Sequence, residues 1–316
     1  MEKDKVDISV IIPVYNEEQV IKELYNRLQK TVSQISENYE LIFVNDGSKD
    51  LSLFELIQLS EQDRRVFYIN FSRNFGHQIA VTAGLDACKG KAVVIIDGDL
   101  QDPPELITKL YSKYKEGYDV VYAKRLERKG ESFFKRMTAK LFYRILRQMT
   151  TIDIPIDTGD FRLIDQKVVF YLKQMREQNK FLRGQIAWLG FKQSEVLFNR
   201  DKRKYGQTGY SLNKMFHFAM DGIIGFLDKP LRMVMKLGLI ISLLSFVMIL
   251  YAVYSYFVLD KAITAWTALM VISLFIGGVQ LISIGIIGEY ISRMNKNVVN
   301  RPLYIVEETN VIEYSQ

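Results

Sequence analysis

Apolar residues in the first 125 positions fall into short runs separated by longer, mixed stretches. Ile8-Ser-Val-Ile-Ile-Pro-Val14 has the character of a buried strand. Tyr39–Val44, Val66–Phe71, Ala92–Ile96 and Asp119–Ala123 repeat it. Between these runs the pattern predicts helices. One opens at Asn16-Glu17-Glu18 and reaches about Ser33, one follows Ser48, one covers His77–Ala87, and one opens at Pro103-Pro104. Proline's fixed φ suits that last position, the first helical turn. Strand, helix, strand at this spacing predicts an α/β fold with a mostly parallel sheet covered on both faces. Ligands in such sheets bind beyond the carboxyl ends of the strands. Asn45-Asp46-Gly47-Ser48 and Asp97-Gly98-Asp99 both follow strands, so they are expected to converge on one crevice.

The pattern changes beyond Arg232. Leu237–Leu259 and Ala262–Gly288 contain no charged residue, and each exceeds the roughly 20 residues a helix needs to cross a bilayer. Only Asp260 and Lys261 separate them, which predicts a tight transmembrane hairpin. Lys229, Arg232 and Lys236 precede the first span; Arg293, Lys296 and Arg301 follow the second. By the positive-inside rule both ends face the cytoplasm. Met1–Asp7 is polar and carries no cleavable signal pattern, so the N-terminal domain is expected to stay cytoplasmic. The expectation is a multi-pass plasma-membrane protein. Its single cysteine, Cys88, has no partner for an internal disulfide, in keeping with that compartment.

The expected organisation is a cytosolic domain over 1–212, interfacial amphipathic helices over 213–233, the hairpin over 234–290 and a cytosolic tail over 291–316. Met215, Phe216, Phe218, Met220, Ile223, Ile224, Phe226 and Leu227 supply the apolar side of the interfacial segment. Residues 124–147 are rich in Arg, Lys and aromatics, and read as a loop leading into an amphipathic helix. Gln280, with Ser273, Gly277, Gly278 and Gly285, marks a helix–helix contact with the partner span or with a second copy in a homo-oligomer. A net charge of +6 suits anionic lipid and phosphate substrates beside a membrane hairpin, rather than nucleic acid.

Candidate chemistry centres on Asp97-Gly-Asp-Leu-Gln-Asp-Pro-Pro-Glu105. Two carboxylates separated by one glycine at a strand end suit a hard divalent cation, Mg²⁺ or Mn²⁺. Such an ion would stabilise a departing nucleotide diphosphate. The bland alternative is an acidic turn capping the next helix. His77 and His217 show neither metal-ligand spacing nor evident partners, and ordinary structural roles are expected for both, as packing is for Trp188.

Val10-Ile-Ile-Pro-Val-Tyr-Asn-Glu17, Val44-Asn-Asp-Gly-Ser48, Ser72-Arg-Asn-Phe-Gly76 and the acidic segment 97–105, in that order, resemble family 2 glycosyltransferases. More narrowly, they resemble dolichol-phosphate mannosyltransferases and bacterial undecaprenyl-phosphate glycosyltransferases. The resemblance runs from about Asp7 to the end of the hairpin. It implies a Rossmann-like, A-type glycosyltransferase domain that binds a nucleotide sugar. It further implies that Pro13, Tyr15 and Glu17 line the base and ribose, with Asp46 on the base side. Asp97 would position ribose and diphosphate, and Asp99, with Gln101 and Asp97, would hold the metal. Asp157-Thr-Gly-Asp-Phe-Arg162 resembles the segment that brings an acidic residue, here Asp160, to the acceptor. Arg125 and Arg128 are candidates for the acceptor phosphate. Arg203, in the basic loop Arg200–Ser211, fits a clamp closing over the diphosphate.

The activity so implied is inverting transfer of a hexose from a nucleotide sugar to a polyprenyl phosphate. UDP-glucose is the first choice of donor, UDP-N-acetylglucosamine the second and GDP-mannose the third. A flippase and a second transferase would act downstream, in envelope glycosylation. A processive polysaccharide synthase would carry Gln-x-x-Arg-Trp, whereas Gln185-Ile-Ala-Trp188 lacks the arginine. A nucleotidylyltransferase would carry a Gly-rich basic loop after the first strand. A non-catalytic scaffold or nucleotide-sugar-binding module is the rival from another class.

Overall fold

The computed structural model describes residues 6–126, 158–198 and 266–311, with ten helical positions between 238 and 254. Two compact units emerge, the first spanning Met1–Met215 with Pro302–Gln316 and the second Phe216–Arg301.

Unit 1 is an α/β sandwich around one sheet. Strands β1 (Ile8–Val14), β2 (Tyr39–Asn45), β3 (Val66–Phe71) and β4 (Ala92–Ile95) alternate with helices α1 (Ile21–Val32), α2 (Ser52–Gln62) and α3 (His77–Ala87). Helix α4 (Leu106–Lys115) leads to β5 (Val120–Arg125). There follow β6 (Thr158–Asp165), α5 (Gln166–Gln174), α6 (Leu182–Trp188), β7 (Gln193–Phe198) and, after the second unit, β8 (Val306–Thr309). The sheet order is β7-β5-β6-β4-β1-β2-β3-β8. The β1–β2, β1–β4, β2–β3 and β5–β7 pairs are parallel; β6 runs antiparallel between β4 and β5, and β8 antiparallel on β3.

Alternation along β1 explains the two layers. Ile8, Val10 and Ile12 join the core beneath α1, α2 and α4, while Ile11 points into the core beneath α3, α5 and α6. Every residue of β1 and β2 is buried, the signature of strands covered on both faces.

Helix α7 (Trp266–Val299), in the second unit, has 34 residues. Its Phe275–Val299 portion is the one helix, among the described residues, long and apolar enough to cross a membrane. Leu281, Ile282 and Ile284 on it are exposed. A Cβ added at Gly277, Gly278 or Gly285 would meet open space. The interfacial segment 213–233 and the loop 200–211 lie outside the described residues, as does most of the first expected span.

Candidate active site

The parallel register brings the two acidic motifs to one edge. Val14 at the end of β1 lies opposite Asn45 at the end of β2, and Ile11 lies opposite Ile95 at the end of β4. A Cβ on Gly98 would come within 2.9 Å of the Pro13 carbonyl oxygen, so the Asp97-Gly98-Asp99 turn rests against β1 because residue 98 has no side chain. The Gln101 N–H donates to Asp99 Oδ1 at 3.1 Å. Between them Leu100 has φ +56° with its side chain buried. A left-handed non-glycine residue costs about 1–2 kcal/mol, a strain that clusters at functional sites. Asn16, across the crevice, has φ +55°.

The Tyr15–Glu18 segment is laced to the loop after β2, and this corrects the helix start expected at Asn16. Asn16 Oδ1 accepts from the Lys49 N–H and Glu18 Oε2 from the Leu51 N–H, both at 2.8 Å. In return the Asn16 N–H donates to Ser48 Oγ at 2.9 Å and the Glu17 N–H to Ser52 Oγ at 3.0 Å. These side chains and amides are committed across the crevice, so α1 begins only at Ile21. Pro13 is buried within β1, Tyr15 is exposed and Glu17 is half-buried.

Asp46 is buried, and its carboxylate accepts from the Phe75 N–H at 2.7 Å and the Gly76 N–H at 3.0 Å. Burial raises its pKa, against the lowering effect of those two amides. Asp46 thus ties the Ser72–Gly76 segment to the crevice. Next to it Gly47 has φ +64°, and a Cβ there would lie 2.5 Å from the Arg73 carbonyl carbon. Gly47→Ala is expected to destabilise unit 1 by about 2 kcal/mol or more, from the left-handed φ and the backbone clash together. Thermal unfolding checks this; a variant as stable as the parent would contradict it.

Asp160, on β6, is the hub of an ion cluster. Its Oδ1 accepts from Arg183 Nε at 2.8 Å, and its Oδ2 faces His77 Nε2 at 3.2 Å and accepts from Gln78 Nε2 at 3.1 Å. Arg162 Nη2 stands 3.8 Å from Oδ1, and His77 Nε2 also lies 3.5 Å from Asp97 Oδ1. Burial would raise the Asp160 pKa; the charges of Arg183, His77 and Arg162, with the His77 hydrogen bond, overcome it and hold the carboxyl well below its usual range. Burial likewise opposes a charged His77, but Asp160 and Asp97 outweigh it and push the imidazole up to about 9. His77 thus stands between Asp160 and Asp97, which corrects the partnerless role expected of it. Gln78 and Arg183 join the same cluster, and neither stood out in the sequence. Each lies far along the chain from Asp160; the one available signal was that α3, with Gln78 in its first turn, opens just after the end of β3.

Trp188 also departs from expectation. It is 61% exposed at the end of α6 rather than packed. Arg125 is the last residue of β5. Arg128, Arg203 and His217 lie outside the described residues.

Residues 9–170 match the Glycosyl transferase family 2 model, and residues 229–294 match the GtrB C-terminal hairpin model. The chain belongs to glycosyltransferase family 2. It is 52% identical to the Bacillus subtilis glycosyltransferase YkcC over 98% of this chain and 95% of that protein. It is 47% identical to the Synechocystis glycosyltransferase sll0501 over 98% and 97%. It is also 38% identical to the SfII prophage-derived bactoprenol glucosyl transferase of Shigella flexneri, over 96% and 98%. Within this family 2 enzyme the crevice at the ends of β1, β2 and β4 is the candidate active site. The fold is the α/β, mostly parallel-sheet domain that the alternation of strands and helices predicts and, as the resemblance implies, of the A-type glycosyltransferase kind; the chain also carries a segment that matches the GtrB C-terminal hairpin.

Proposed function

We propose that this glycosyltransferase moves a hexose, glucose from UDP-glucose first, onto a polyprenyl phosphate such as undecaprenyl phosphate, with inversion, at the cytoplasmic membrane face. One observation carries the reading. The acidic turn 97–99 and the ion-paired Asp160 meet through His77 at the carboxyl edge of the sheet. The chain in which they meet is similar over nearly its whole length to a bactoprenol glucosyl transferase.

Asp97 and Asp99 fit a divalent cation as part of a shell. Among the described residues no three His, Cys, Asp or Glu side chains converge as a ready-made cage. Mg²⁺ or Mn²⁺ would thus be held by Asp99 and Asp97, with Gln101, and complete its shell with diphosphate oxygens and water, as Mg²⁺ commonly does. Bound there, the ion would offset the charge growing on the leaving nucleoside diphosphate.

The chain's own residues bind and orient. Tyr15 offers an exposed ring to the base, with Pro13 behind it and Glu17 and Asp97 toward the ribose. Asp46 acts from beneath by fixing the Ser72–Gly76 segment. Arg125 and Arg128 take the acceptor phosphate, and Arg203 closes on the diphosphate. A phosphate monoester, with a second pKa of about 6, is mostly dianionic at neutral pH. Its oxygen attacks the anomeric carbon, the bond to the diphosphate breaks, and the electron pair leaves with the nucleoside diphosphate. No proton has to be removed.

Asp160 accordingly orients the site through Arg183 and His77 rather than acting as a base. A carboxyl whose folded pKa is depressed contributes stability above its unfolded value of about 3.9, and loses it only as pH falls toward the folded value. Asp160 stays ionised from pH 5 to 8. Any acid limb in the parent's kcat/KM profile over that range should therefore persist in Asp160→Asn, while His77, losing a carboxylate that raises it, titrates lower in the variant. An acid limb present in the parent and missing from the variant would contradict this role.

Helix α7 and its hairpin partner anchor the enzyme in the membrane, where the acceptor headgroup is concentrated. The proposal extends to a homo-oligomer, and to a flippase and second transferase that consume the product; it includes no nucleic-acid partner. The test is incubation of the purified chain, in vesicles holding undecaprenyl phosphate, with labelled UDP-glucose, UDP-N-acetylglucosamine and GDP-mannose in turn. Label should enter the lipid fraction best from UDP-glucose. Label in no lipid fraction would overturn the reading.

A further inference from the structure

The chain returns to unit 1 after the apolar helix and adds β8 to the free edge of β3. Asn70 pairs with Glu308 and Phe71 with Val306, so the register slips at Glu307. Such a bulge re-aims a side chain. The segment is firmly seated. Tyr304 stacks on Phe71 with ring centroids 5.2 Å apart, and its hydroxyl donates to Asp86 at 2.9 Å. The Ser72 N–H donates to the Ile305 carbonyl at 3.1 Å, and the Tyr68 N–H to Asn310 Oδ1 at 2.8 Å.

From Glu307 a file of hydrogen bonds crosses the ends of three strands. Asn70 Nδ2 donates to Glu307 Oε2 at 3.2 Å, and Asn45 Nδ2 donates to Asn70 Oδ1 at 2.8 Å. Asn45 Oδ1 accepts from the Ser48 hydroxyl and from the Ser48 N–H at 3.3 Å. Ser48 Oγ then accepts the Asn16 N–H. Both asparagines are buried.

The direction of this file is a chemical choice. A carboxamide donates from one end and accepts at the other, whereas a carboxylate only accepts. With Glu307 at the edge, Asn70 must turn its NH₂ outward and its oxygen inward. Asn45 must then donate to Asn70 and keep its oxygen for Ser48. Reversed, Asn45 would present NH₂ to the Ser48 N–H, donor against donor, and the buried amide would lose its partner.

We propose that Glu307 is a positioning residue for the donor loop. Its carboxylate sets the polarity of the Asn70–Asn45–Ser48 file that holds Asn16, and with it Tyr15 and Glu17. This rests on reading Tyr15–Glu17 as part of the nucleotide-sugar pocket. The strand that follows the apolar helix therefore helps to shape the pocket at the opposite end of that file.

The test uses the full chain in vesicles with three variants. Glu307→Lys offers only donors and should reverse the file; Glu307→Gln can still accept; Tyr15→Ala removes a pocket wall directly. Titration with UDP and GDP, together with steady-state kinetics, supplies the readout. Glu307→Lys should weaken nucleotide binding and raise the KM for nucleotide sugar roughly ten-fold, the scale of one charge-assisted hydrogen bond. The kcat and the KM for the lipid should hardly move, and Glu307→Gln should stay within about two-fold of the parent, since its amide oxygen keeps the acceptor. Tyr15→Ala weakening the nucleotide while Glu307→Lys binds like the parent would overturn the proposal alone. Glu307→Gln as impaired as Glu307→Lys, or a lowered melting temperature with an unchanged nucleotide KM, would also overturn it. Tyr15→Ala without effect on nucleotide binding would instead strike at the pocket reading beneath it.

Discussion

Asp99→Ala should lower sugar transfer on the order of 10²–10³-fold, the usual loss when one preorganised electrostatic contact to a transition state is removed. The fold should survive. The Asp99 carboxylate accepts the Gln101 N–H within its own turn, and the buried Leu100 side chain keeps that turn seated in the core. Asp99→Asn separates charge from shape. Its amide oxygen still takes the Gln101 N–H, but the negative charge that would hold a divalent ion is gone. Both variants should therefore lose turnover to a similar degree while melting near the parent temperature. Raising Mn²⁺ should restore part of the Asn variant's rate by mass action. If either variant turned over at the parental rate, the acidic turn would be no more than a helix-capping feature. The contact that stabilises the leaving group would then have to come from other residues.

The second large effect is on stability. Asp160→Ala removes a carboxylate that faces Arg183, Arg162 and His77 together. The side chains of Arg162 and Asp160 are only 6% and 13% exposed. Burial already pushes Arg162 down to about 10, with Asp160 as the largest opposing influence. Deleting one partner of such a group leaves uncompensated charge, with an expected loss of about 3 kcal/mol. For a domain of this size that corresponds to roughly 10 °C in Tm. Asp160→Asn should cost less, since an amide oxygen can still accept from Arg183 Nε. Thermal unfolding of both variants in detergent checks the ordering. An alanine variant within about 1 kcal/mol of the parent would mean that the arginines are satisfied elsewhere.

Much of this architecture is written locally. β1 spans the Ile8–Val14 run, and α3 spans His77–Ala87, as the pattern predicts. The two acidic motifs converge because parallel strands must end together. What local pattern could not carry is long-range pairing. β6 enters between β4 and β5 with Asp160 and Arg162 along it, and those charges disguise a strand whose Phe161, Leu163 and Ile164 are fully buried. The charges are tolerated because Arg183 and His77 arrive from α6 and α3. β8 is a four-residue acidic segment whose strand character comes from the open edge of β3. The false helix start at Asn16 has the opposite cause: Asn and Glu residues suited to a helix opening are used to bind a neighbouring loop.

The most direct measurement is a structure of the chain with UDP and Mn²⁺. The account predicts an anomalous manganese peak beside Asp97 and Asp99, bridged to the diphosphate, with the uracil against Tyr15. Manganese or nucleotide lodged elsewhere, with the 97–101 turn unchanged and bare, would contradict it.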